Sequence, residues 1–217
     1  SSTSSSGSAS ISTGDSNAAT GAISVTTGDG TSSGSITLQS GSSVDVAGSV
    51  NLLVGSTTSG VGGNIAMTAG ASTSNNGVQI LIESGTSSTI SSGAVSLVTG
   101  ASSASTGNMN VASGNAVQSS GSIGIKTGDS SSGSAGKIDF STGKSVDAQG
   151  ASISLVAGSS TTSTGGSVVL ESGSSSQGVS GQVQIDTTDS TLQTGAISIN
   201  TGESSGVSTG MISMKSG

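Results

Sequence analysis

The chain has 217 residues and a formal charge of −7, from four Lys against eleven Asp plus Glu; 121 positions are Ser, Gly or Thr (58, 37 and 26). With no Cys, Pro, His, Arg, Trp or Tyr, and Phe140 as the one aromatic, it lacks the usual ligands for zinc, copper, haem and iron–sulfur sites. The commonest general base, a Cys–His nucleophile, a base-stacking platform and a basic phosphate footprint are missing too, and no apolar run approaches membrane-spanning length.

A Ser/Gly/Thr-rich chain could be a flexible linker. Disorder, however, usually pairs low hydrophobicity with high charge. Here 29% of residues are hydrophobic, mean hydropathy is +0.11 and only 7% are charged. Periodicity therefore decides the reading.

From the N-terminus, anchor glycines recur at Gly14, Gly28, Gly41, Gly55, Gly70, Gly85, Gly100, Gly114, Gly128, Gly143, Gly158, Gly173, Gly202 and Gly217, with Thr188 in the one slot lacking Gly; successive anchors are 13 to 15 residues apart. Five and three residues before each anchor stand apolar residues: Ala9/Ile11, Ile23/Val25, Ile36/Leu38, Val50/Leu52, Ile65/Met67, Ile80/Ile82, Val95/Leu97 and Met109/Val111. The pairs continue as Ile123/Ile125, Ile138/Phe140, Ile153/Leu155, Val168/Leu170, Val183/Ile185, Ile197/Ile199 and Ile212/Met214, so all fifteen units fit. Position −1 is small, mostly Thr or Ser, and a second Gly usually stands at −7, as at Gly7, Gly21, Gly34 and Gly48. The unit is G-x-Φ-x-Φ-x-S/T-G followed by a polar connector.

Strict alternation reads as a half-buried strand, and the bounding glycines read as turns where positive φ or close backbone approach is tolerated. The period and the repeated Gly exclude helix. Two apolar residues per strand cannot bury themselves alone, so units are expected to stack at roughly 4.8 Å. The fold expected is all-β: a parallel β-helix-like β-solenoid forming one continuous domain over 1–217. After even-numbered units the connectors carry Val61, Ile90, Val117, Val146, Val179 and Val207; after odd-numbered units only Val44/Val46 and Leu192 occur. This alternation predicts two kinds of corner, hence two strands per coil of about 29 residues facing each other across about 10 Å. A one-unit coil is the rival geometry.

The chain begins in a connector and finishes on an anchor, with no capping helix or Pro at either end. It is accordingly expected to be a segment of a longer repeat protein, or a subunit stacking end to end on copies of itself or on flanking repeats.

Candidate chemistry is sparse. Asp15, Asp29, Asp129, Asp189 and Glu203 follow anchors, but out of register, so local turn stabilisation explains them better than a calcium ladder. Asp139 with Glu171, and Asp45 with Asp147, could approach across a stack; without a base or pocket they read as solvated charge. Outward positions such as Lys137/Asp139/Ser141 and Gln182/Gln184/Asp186 are too irregular for a regular Thr-x-Thr ice-binding array. No catalytic, cofactor-binding or metal-ligating residue is expected, no cofactor, and no nucleic-acid partner or membrane span. No Asn-x-Ser/Thr acceptor exists, while connectors such as Ser159–Thr164 offer dense hydroxyls either as O-glycan acceptors or simply as residues that fit tight turns.

Runs such as GAISVTTG, GSITLQSG, GSVVLESG and GAISINTG resemble the Gly/Ser/Thr-rich repeats of algal (diatom-type) cell-surface and extracellular-matrix proteins over the whole chain; bacterial repeat adhesins are a broader likeness. The resemblance implies a secreted structural or adhesive fibre, often glycosylated, and carries over no functional residue. The function expected is thus a non-enzymatic repeat segment of an extracellular fibre, filament, or adhesive surface appendage. The alternative is a ligand-binding solenoid with an ice- or carbohydrate-binding face.

Overall fold

The computed structural model describes residues 6–206 and 208–216. Anchor Gly217, connector residue Val207 and the first connector residues 1–5 lie outside the described residues. The chain divides into two units, Ser1–Met109 and Asn110–Gly217. The boundary falls inside a repeat, between the apolar Met109 and its outward neighbour Asn110, and leaves seven connectors in each unit.

The sequence period is visible in the backbone. Each of the fourteen connectors between successive anchors bends once, and thirteen of the bends begin three residues after the anchor, as at Asn17, Val44, Thr58, Thr73 and Ser176; the exception begins at Gly30, two after its anchor. Between bends the chain runs extended, as alternating β-branched residues favour. Side chains two apart then lie on one side. Gln182 Nε2 donates to Gln184 Oε1 (3.2 Å), Gln184 Nε2 donates to Asp186 Oδ2 (2.9 Å), and Asn200 Nδ2 donates to Ser198 Oγ (2.7 Å).

The β-solenoid is not formed. Among the described residues there is no helix and no β-strand, so neither the all-β class, the two-strand coil nor the one-strand coil describes the structure. The backbone–backbone hydrogen bonds there number three, and none joins one apolar segment to another: Gly93 N–H to Gly85 O, Gly166 N–H to Gly158 O and Gly181 N–H to Gly173 O, each 2.9 Å. Each closes a connector on itself. A loop whose ends meet while its body projects outward has the character of an Ω-loop. The physical reason for the missing sheet lies in the unit: two aliphatic side chains between glycines offer little burial against the entropy of ordering fourteen or fifteen residues. The connector can meanwhile satisfy part of its backbone locally.

The expected inward face is consequently open. Among the described residues none is buried. The six that are half-buried are Ser40, Ala69, Ser84, Thr127, Ala157 and Ser172, every one at position −1. Close approach of a glycine accounts for five of them, all but Ala69. A Cβ added at Gly93 would stand 3.4 Å from Ser84 Cβ, at Gly136 3.6 Å from Thr127 Cγ2, and at Gly181 3.5 Å from Ser172 Cβ. In eleven of the fourteen connectors the Gly that opens one unit therefore lies on the −1 side chain of the unit before it; at Gly77, Gly107 and Gly150 an added Cβ would meet nothing within 4 Å.

Positive φ, the other role considered for these glycines, is not used by any described residue. What Gly supplies is absence of bulk. At Gly166 an added Cβ would come 3.3 Å from Gly158 N and 3.4 Å from Gly158 O, both backbone. Gly166→Val should force these loop ends apart, and the residue-166 amide should exchange about fivefold faster for loss of one hydrogen bond. At Gly128, where nothing lies within 4 Å of an added Cβ, the same substitution should leave its loop unchanged. Hydrogen exchange followed by NMR checks both.

Candidate functional surface

Each unit presents two features to solvent: an extended apolar segment and a hydroxyl-rich loop. Exposure along the unit is graded. Side chains at −5, from Ile23 to Ile212, are 44–58% exposed, and those at −3, from Ile11 to Met214, 57–90%. Connector Val, Ile and Leu are 83–104% exposed. The connector residues expected to mark two corner types, among them Val61, Val117, Val179 and Leu192, thus project from loops and build no corner.

The loops are held by a residue that the sequence reading passed over. Two positions after the anchor, Ser Oγ accepts a backbone N–H from the far side of the bend. In the first unit Ala18 N–H donates to Ser16 (3.1 Å), Asn75 N–H to Ser72 (2.9 Å) and Ile90 N–H to Ser87 (3.1 Å). In the second, Gly133 N–H donates to Ser130 (3.1 Å), Ser163 N–H to Ser160 (3.0 Å) and Gly178 N–H to Ser175 (2.9 Å). Ser43, Ser102, Ser190 and Ser204 do the same. Thr57 caps its loop in the opposite sense, its Oγ1 donating to the Gly60 carbonyl (2.6 Å). These are Ser/Thr turns, in which a hydroxyl stands in for a backbone partner.

The signal was in the sequence. Position +2 is Ser or Thr in twelve of fourteen connectors, the exceptions being Gly30 and Ala116. The motif thereby extends to G-x-Φ-x-Φ-x-S/T-G-x-S/T. Alignment on the apolar pairs hid it, because connector Ser is so abundant that one more Ser looks like background.

The acids that follow anchors, Asp15, Asp29, Asp129, Asp189 and Glu203, are all exposed. No group of three or more His, Cys, Asp or Glu that could hold a metal forms among the described residues, and no cavity opens there. Asp139, considered with Glu171 across a stack, instead pairs with Lys137 two residues earlier, both well exposed. An ion pair so solvated contributes little. No helix is long and apolar enough to cross a membrane among the described residues. No protein-family model, curated protein or solved structure matches the chain.

The capping role of the +2 hydroxyl makes a local prediction. Ser175→Ala removes the acceptor of Gly178 N–H, and exchange of the Gly178 amide should accelerate two- to tenfold, as loss of one exposed hydrogen bond implies. Ser174→Ala, one residue earlier, should leave that rate unchanged. Amide exchange resolved by residue distinguishes them.

Proposed function

We propose that this chain is a non-enzymatic structural repeat segment of an extracellular fibre, filament or adhesive surface appendage. One observation carries the reading: a single module, an extended Φ-x-Φ segment followed by a Ser-capped loop, recurs at 13- to 15-residue spacing through the chain. Repetition of one module without a distinct pocket-forming element suits a role that scales with length, such as spacing or tethering. The hydroxyl-rich loops, and the resemblance to Gly/Ser/Thr-rich algal surface repeats, support placement outside the cell.

The ligand-binding alternative drew its outward array from stacked solenoid coils. Without them, that alternative loses the stacked coils on which such a face would depend. Bound carbohydrate, by contrast, fits the structural reading as a covalent decoration of loop hydroxyls.

Immunogold electron microscopy of the source cells, with an antibody raised against the loop Ser159–Thr164, tests the proposal. Label along extracellular material or the cell surface is the expected result. Label confined to the cell interior would overturn it.

A further inference from the structure

We propose that the partner of this chain is a second copy of itself, joined side by side through the Φ-x-Φ segments, with segment edges pairing between molecules. The inference rests on the structural-repeat reading and names the partner that the end-to-end scheme had placed at the termini. That scheme relied on open solenoid coils, which are not formed. What the structure leaves open lies along the segments instead.

Area is the first argument. The chain exposes 21491 Å², whereas a compact protein of its mass would expose about 8,700 Å². The excess of about 12,800 Å² is some sixteenfold the roughly 800 Å² per partner of a standard stable interface. Part of it is aliphatic: the −5 and −3 side chains from Ile11 to Met214 are 44–90% exposed. Exposed aliphatic side chains recurring in every unit mark an interaction site.

Backbone chemistry is the second argument and says which geometry covers that surface. In the segments, no backbone group is paired with another backbone group among the described residues. They are extended, with alternating apolar side chains, so they already have the form of strands that lack neighbours. The devices that blunt such edges are sparse: the chain has no Pro, and only four Lys. Gly-bounded segments of high β-propensity and low charge pair readily with identical copies.

Self-complementarity is the third argument. A copy carries the same irregular sequence of 13-, 14- and 15-residue spacings, so aligned molecules bring every segment to its own counterpart. A one-residue slip would turn each apolar pair to the wrong face. Unlike partners offer no such match along fifteen units. The charge of −7 on each molecule opposes association, so salt should promote it.

Sedimentation velocity and far-UV circular dichroism of the whole 217-residue chain, across protein and salt concentration, provide the test. The expected result is concentration-dependent association that strengthens with salt, accompanied by a gain of β signal. Ile123→Thr, Ile153→Thr and Ile197→Thr together should raise the half-assembly concentration at least about tenfold, equivalent to about 1.4 kcal/mol. Ser154→Pro with Ser198→Pro should do likewise, since each removes a ladder N–H and keeps the apolar pairs. Val117→Thr with Val179→Thr, in loops, should not. Amide exchange at Gly166 and Gly181 confirms that loops persist in each variant.

A chain that remains monomeric at every concentration, or assembly abolished only by the loop variants, would overturn the proposal. So would association without β signal. Extracellular immunogold label with a monomeric chain would sink this inference and leave the structural reading standing; interior label with intact self-association would do the reverse.

Discussion

The contact on which most of the described loops depend is a close one: in eleven of fourteen connectors the glycine that opens a unit lies within 4 Å of the −1 side chain of the unit before. At Gly93, Gly166 and Gly181 the contact is sealed by a backbone hydrogen bond of 2.9 Å. Each of the three lies eight residues after an anchor and belongs to a 15-residue spacing. Where the spacing is 14, as from Gly14 to Gly28, the opening glycine still approaches the −1 side chain, an added Cβ at Gly21 lying 3.5 Å from Thr13 Cγ2. The longer loop permits the bond without ensuring it, since Gly63, Gly136 and Gly210 also stand eight residues after an anchor and show no backbone bond to it.

This contact accounts for composition in a way that a buried core would not. A −1 residue must fit beneath a backbone, which favours Ser, Thr and Ala. Val54 shows the limit: an added Cβ at Gly63 would be 2.7 Å from Val54 Cγ1, so the larger −1 residue is accommodated only because the partner is Gly. The +2 hydroxyl then turns the chain back so that the contact can form. Gly and Ser are therefore the structural residues of the loop, and among the described residues Ile and Val are left largely exposed.

The sequence made the module legible and misled about its assembly. Alternation at Ile197/Ile199 foretold an extended segment, and Asn200 bonding to Ser198 is its direct expression. The anchors marked where bends follow, and the glycines at −7 marked close approach. Coil-on-coil stacking did not follow, because alternation states which side chains share a face and leaves open what covers that face. The inference from Ile and Val to a solenoid supposed that apolar residues must be buried within their own chain. The Ser caps escaped notice for a different reason: their signal is positional, and a count of Ser cannot separate Ser175, which holds a loop, from Ser174 beside it.

A division of labour within the unit follows from these contacts. Loop closure uses only residues from −1 to the next opening glycine, and draws nothing from the −5 and −3 side chains. The hydrogen bonds that close the loops accordingly use no side chain at −5 or −3 among the described residues. Loops can vary in length, or carry bulky decoration, without changing the segment edge. In a globular domain the apolar residues commit the chain to one internal arrangement. Here the commitment sits in small polar side chains, and the apolar ones remain free to act between molecules.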